Sequence, residues 1–164
     1  MKKTEIISNT GPLIALATID RLDILNTLFE KVIVPEAVHH ELLVGGSAQV
    51  GINSYQQATW IKVEPLTGPL DPLLDHVLDT GEASVIQLAR EKHIDRVLID
   101  ERKGRKIARE IYQLRIIGTA RILVEAKRHG LLDNVQDVIN QMTGNGYRIH
   151  DTIVAHILKE AGEL

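Results

Sequence analysis

The sequence predicts an α/β domain built on a parallel sheet with helices covering both faces. Short β-branched runs recur along the chain, and each is followed by a stretch with helical spacing of apolar residues. The runs also lack the apolar/polar alternation that a water-facing sheet side would impose, so both sheet faces are expected to be buried. With 164 residues, the chain fits one domain that buries roughly two-thirds of its unfolded surface. It reads as a single domain over 1–164, with 134–164 a helical C-terminal extension.

The elements follow in order. Residues 4–8 form a strand that stops at Ser8-Asn9-Thr10, turns through Gly11-Pro12 and continues as a helix to about residue 28. Val32-Ile33-Val34 is the second strand, and a helix starts at Pro35. Gly45-Gly46-Ser47 and Thr67-Gly68-Pro69 are connections too short to be linkers, and residues 60–63 between them are a strand candidate. In "LDTGEASVIQLA" a helix opens with Asp79 three residues before Glu82, the spacing of a capping box. Strands at 96–99 and 115–117 precede helices over 101–113 and 119–129. From Asn134 the chain is helical again, interrupted by Thr143-Gly144-Asn145-Gly146 and resumed at His150-Asp151.

Composition removes several classes of function. There is no cysteine, which agrees with a reducing cytoplasm and excludes thiolate zinc sites and cysteine nucleophiles. The basic start Met1-Lys2-Lys3 is followed at once by Glu5, Ser8 and Asn9, and no apolar run approaches the roughly 20 residues needed to cross a bilayer. A cytoplasmic protein without a membrane segment is expected. The formal net charge is −3, so any nucleic acid must be met by a local patch. One Trp, three Tyr and one Phe offer no stacking platform for single strands, which argues against a passive RNA-binding module.

Chemistry is sought at the carboxyl ends of the strands, where parallel α/β sheets gather ligands. Asn9 closes the first strand and Asp100 closes "RVLID"; each also reads as the cap of the helix that follows. Glu82 sits in a first helical turn, which would bring its carboxylate beside Asp100 if that turn points at the strand ends. Glu41, in "PEAVHHELL", follows Val38 by three and Ala37 by four and so lies at the edge of the sheet-facing stripe. Such oxygen donors suit Mg²⁺ or Mn²⁺, whereas the seven histidines form no helical ligand pair. After Asp100 comes "ERKGRKIARE", in which Arg102, Arg105 and Arg109 keep helical spacing beside Lys103 and Lys106. This is either a solvated face or a seat for a phosphate backbone.

The segments "IISNTGPLIALATIDRLDIL", "VIVPEAVHHELL", "DTGEASVIQLAREKHIDRVLIDERKGRKIA" and "IIGTARILVEAKRHGLL" resemble, in order and spacing, the blocks of PIN-domain proteins, closest to a VapC-like prokaryotic branch. The likeness covers about residues 4–132. It implies a three-layer α/β/α sandwich around a mostly parallel sheet, and a divalent-metal ribonuclease site, often in the toxin of a toxin–antitoxin pair. By that resemblance Asn9, Glu41, Glu82 and Asp100 take the catalytic and metal-binding places, and Glu101 matches a neighbouring acid. Thr119 matches a polar residue lining the site, and Arg102, Arg105 and Lys106 would position RNA. Asn9 departs from the family pattern, which usually has Asp there; the amide keeps an oxygen donor but removes a charge. The implied partners are RNA, a small antitoxin protein and a second copy of the chain, for which "TARILVEAKRHGLL" offers an apolar helical face. Asn9 also leaves room for another class of function, a PIN-like protein that binds RNA or an antitoxin without cleaving.

Overall fold

The computed structural model describes residues 4–44 and 49–164. Five strands, β1 (Glu5–Ser8), β2 (Lys31–Pro35), β3 (Ile61–Glu64), β4 (Arg96–Leu98) and β5 (Arg115–Ile117), form one sheet in the order β3-β2-β1-β4-β5. Every neighbouring pair is parallel, so the sheet is wholly rather than mostly parallel. Ile6 and Ile7 point to opposite sides of the central strand, yet both are 0% exposed. Covering helices on both faces explain why the strands read as continuous apolar runs. Val32, Ile33, Val34, Val97 and Leu98 are buried in the same way, each contributing about 1.5–3 kcal/mol of burial.

Helix α6 (Thr80–Lys92) packs on β1, β2 and β4, and α3 (Glu36–Val44) lies beside it on β2 and β3. Asp79 caps α6 by accepting from the Glu82 amide at 2.8 Å. Because α6 leads into β4, its N-terminal turn lies at the carboxyl ends of the strands. That settles the direction of Glu82, which the sequence left open.

The expected helix over 12–28 is two helices, α1 (Thr10–Ala17) and α2 (Asp23–Leu28). Between them Asp20 takes a left-handed backbone (φ 55°) and the Arg21 amide returns to the Leu16 carbonyl at 2.9 Å. The buried apolar stripe runs through both helices as Leu16, Ala17, Leu22 and Leu25, so periodicity alone does not register the break. Two further helices, α4 (Gln49–Gln57) and α5 (Pro72–Val77), lie outside the elements read from sequence. The second has a legible start, since Asp71 caps it and Pro72 fills its first turn. The Gly45-Gly46-Ser47 connection lies outside the described residues.

Helices α7 (Arg102–Glu110) and α8 (Thr119–Arg128) follow β4 and β5. Ile122, Leu123, Val124 and Ala126 of α8 are fully buried, and α8 packs against α2, α9 (Val135–Gly144) and α10 (Asp151–Glu160). The apolar face considered for dimerisation is thus covered within the chain. Arg121 clamps Glu160 at 2.6 Å, and Lys127 meets Glu163 at 2.8 Å. Glu163 also accepts from the Val135 and Gln136 amides at 2.7 and 3.0 Å. One carboxylate therefore ties the chain end to both α8 and the start of α9.

Candidate active site

The chain adds β2 and β3 on one side of β1 and β4 and β5 on the other. The crevice between the ends of β1 and β4 is therefore the topological switch point, where open α/β sheets bind ligands. Asn9 follows β1 there and Asp100 lies just past β4, and the Asn9 amide donates to the Leu98 carbonyl at 2.9 Å. Asn9 occupies the N-cap position of α1, yet its side chain makes no capping hydrogen bond, and the residue is 7% exposed. Capping therefore does not account for it.

Its side chain joins a cluster of oxygens over Gly81. A β-carbon at Gly81 would stand 3.0 Å from Glu41 Oε2, 3.3 Å from Asn9 Oδ1 and 3.5 Å from Asp79 Oδ1. Glu41 Oε2 also accepts from the Thr10 hydroxyl at 3.0 Å, which pins an otherwise exposed glutamate to the first turn of α1. Three oxygens, from the residue after β1, from α3 and from the start of α6, thus converge where the absence of a side chain leaves room. Asp79 is a member that sequence reasoning missed. The capping spacing that exposed its structural role gave no sign that the capping oxygen itself, Oδ1, lies beside the Asn9 and Glu41 oxygens.

Glu82 carries its carboxylate to a neighbouring place. It is 6% exposed, and its Oε1 would lie 3.3 Å from a β-carbon at Gly104 in α7. Burial is the main reason its pKa is pushed up to about 6; the charges of Asp79 and Glu101 add to the rise, while the Asp79 hydrogen bond and Lys103 oppose it. Glu101 is exposed at the N-cap of α7 and makes no side-chain cap bond there.

Asp100 faces the other way, toward β5 and the C-terminal arm. Its Oδ1 accepts from the Thr119 amide at 2.8 Å and its Oδ2 from the Thr119 hydroxyl at 2.5 Å. A third donor is the Tyr147 hydroxyl, which also reaches Oδ2. Tyr147 lies beyond the four family-like blocks, so no sequence signal linked it to Asp100. Its pKa is driven above the usual phenol value, first by burial and then by the Asp100 charge, so it is a lasting donor.

The basic patch divides in two. Arg102, Lys103, Lys106 and Arg109 are exposed, whereas Arg105 is partly buried and donates to the Ile99 carbonyl at 2.8 Å. A β-carbon at Gly118 would sit 2.8 Å from Arg105 Nη1 and 3.1 Å from Asp100 Oδ1. A side chain there would displace the end of Arg105 and crowd Asp100. Burial lowers the Arg105 pKa, Arg109 lowers it further, and Asp100 opposes the change.

Among the described residues no three or more His, Asp or Glu side chains form a metal-holding group. The Gly81 cluster has two carboxylates, and Asn9 stands where a third would complete it. An all-oxygen set of two carboxylates and an amide still fits Mg²⁺ or Mn²⁺. Magnesium in particular is commonly held by one or two carboxylates, with water and substrate phosphate completing its shell.

A sequence profile described as a PIN domain matches residues 5–163, and so extends through the C-terminal helices. PIN domains are a nuclease family whose members generally use divalent metal ions. No curated protein and no solved structure matches the chain at significance. No helix among the described residues is long and apolar enough to cross a membrane. By the profile match over nearly its whole length, the chain belongs to the PIN-domain family.

Proposed function

We propose that this protein is a divalent-metal-dependent endoribonuclease that hydrolyses RNA phosphodiester bonds, and that it acts in the cytoplasm as the toxin of a toxin–antitoxin pair. The observation carrying the reading is the convergence of Asn9, Glu41 and Asp79 oxygens at the switch point of the sheet. Mg²⁺ or Mn²⁺ bound there would supply an activated water and stabilise charge on the phosphate. Glu41, Asp79 and the Asn9 amide would hold the ion from the β1 side, and Asp100 would offer an oxygen from the β4 side. Glu82 adds a negative charge nearby that is half present at about pH 6 and complete only well above it. Arg102 and Lys106, with Lys103 and Arg109, would hold backbone phosphates without reading bases. Arg105, expected to position RNA, lies against the Ile99 carbonyl and beside Asp100, which supports a role within the site in place of an RNA contact. An antitoxin and a second copy remain partners implied by family likeness, and α8 offers neither its apolar face.

The second reading, a PIN-domain protein that binds without cleaving, is favoured by one observation: an amide stands where the cluster needs its third carboxylate. Cleavage of a labelled structured RNA decides between them. The protein is assayed with Mn²⁺, with Mg²⁺ and with EDTA, beside Glu41→Gln and Asp100→Asn. Metal-dependent cleavage that both substitutions abolish establishes the nuclease. RNA retained without cleavage, by protein whose melting temperature rises saturably with Mn²⁺, establishes the binding role.

A further inference from the structure

Tyr147 belongs to "TGNGYRIH", a stretch that runs from the end of α9 to the start of α10. Gly144, Asn145, Gly146 and Arg148 around it are exposed, yet Tyr147 itself is partly buried. The turn that presents it is well anchored. Gly146 takes a positive φ of 91°, the Tyr147 amide donates to the Met142 carbonyl at 2.9 Å, and Asn145 Nδ2 donates to the Thr18 carbonyl at 3.1 Å. From there the side chain reaches across the switch point. Its hydroxyl lies 3.7 Å from where a β-carbon on Gly11 would be, beside the first turn of α1, and donates to Asp100 Oδ2.

What this bond adds follows from counting acceptor positions. A carboxylate offers about four lone-pair sites, and Asp100 uses three of them, one on Oδ1 and two on Oδ2. Thr119 alone, bonding both oxygens, is enough to fix the orientation of the carboxylate. The Tyr147 bond is therefore an occupant more than a support. An O–H donor and a cation compete for the same lone pairs, because each brings positive charge to the oxygen.

We propose that Tyr147 is a positioning residue that sets how readily Asp100 meets a divalent cation: its hydroxyl occupies an acceptor place on Oδ2 and competes with the ion for that oxygen. The inference rests on the reading of Asp100 as an oxygen that faces the cation. It makes the C-terminal arm part of the site, through a hydroxyl that a phenylalanine in the same place would lack.

Tyr147→Phe keeps the ring and removes the donor. In calorimetric titration of the full chain with Mg²⁺, and separately with Mn²⁺, Tyr147→Phe is expected to bind about tenfold more tightly, the scale of one hydrogen bond to a charged acceptor. Thr119→Val, which releases the orientation of Asp100, is expected to bind more weakly, and Asp100→Asn more weakly still. A gain of affinity in Tyr147→Phe cannot come from structural damage. If Asp100→Asn weakens the ion while Tyr147→Phe leaves affinity unchanged or lower, the proposal is overturned and the cation reading stands. If Asp100→Asn has no effect, the cation reading of Asp100 itself fails and the proposal falls with it. A second readout uses carbon-13 at the phenolic carbon of the three tyrosines, with Tyr147→Phe assigning the signal. The Tyr147 resonance is expected to move with the same half-saturation as Mg²⁺ binding, and a stationary resonance while the ion binds overturns the proposal.

Discussion

At Asn9 an amide keeps the geometry of a carboxylate without its charge. Its oxygen lies against the same point as Glu41 Oε2 and Asp79 Oδ1, so Asn9→Asp would place a third negative group among them. Without metal, repulsion among the three is expected to lower the melting temperature. With saturating Mn²⁺ the variant is expected to regain more stability than the parent and to cleave RNA about tenfold faster. A variant that is no less stable without metal would show that the three oxygens do not interact. Glu82 makes an opposite case, because its folded pKa, about 6, lies above its ordinary value of 4.5. Between those values the folded protein holds more protons than the unfolded chain, so this group costs stability as pH rises through 4.5 to 6. Glu82→Gln is expected to stabilise the metal-free protein at pH 7 by about 2 kcal/mol, the shift converted to free energy. Urea unfolding at pH 4.5 and pH 7 should show the gain only at the higher pH. Asn9 and Glu82 were visible in the sequence because strand ends and first helical turns are local features. The nearness of Asp79 to Asn9 and Glu41, and the link from Tyr147 to Asp100, were not, since those partners come from distant segments.

At the scale of elements, α7 combines two roles that its sequence does not separate. Arg102, Lys106 and Arg109 follow one another by four and three residues on an exposed stripe, whereas Arg105 turns inward to the Ile99 carbonyl. Replacing Arg102, Lys106 and Arg109 together by Ala is expected to weaken RNA binding across all sequences. It should also reduce the log–log salt slope by about 2, at roughly 0.7 per single-strand phosphate contact. Filter binding between low and moderate salt measures this, and an unchanged slope would remove α7 from the RNA surface. Arg105→Ala is expected instead to lower folding stability by about 1.5–3 kcal/mol, the range for a charged hydrogen bond. Helical spacing predicted that these residues share a helix. The inward turn of Arg105 depends on Gly118, a residue of another segment whose missing side chain makes room for it.

For the molecule as a whole, the C-terminal helices pack on α8, and the family profile runs through them. Glu163 joins Lys127 to the amides of Val135 and Gln136. Burial alone would raise its pKa, but these partners outweigh burial and hold it below the usual glutamate value. The sign is the reverse of Glu82: stability from Glu163 is complete above the ordinary carboxylate range and is lost as pH falls through it. Glu163→Ala is expected to cost about 1–2 kcal/mol in urea unfolding at neutral pH, the scale of a lost helix cap. The deficit should shrink in acid; a deficit that persists there would show that packing, not charge, holds the end of the chain.

By itself the sequence determined the layered α/β plan, the five strands, the placing of Asn9 and Asp100 at strand ends, and the likeness to PIN domains. Each of these rests on local patterns of burial and turn chemistry that a chain carries along its length. Only the tertiary structure decided that Glu41, Asp79 and Asn9 share one cluster while Glu82 lies against α7 and Asp100 turns to Thr119 and Tyr147. Those groupings depend on strand order and on glycines that leave space between segments far apart in the chain, and no local pattern encodes which side chains will meet there.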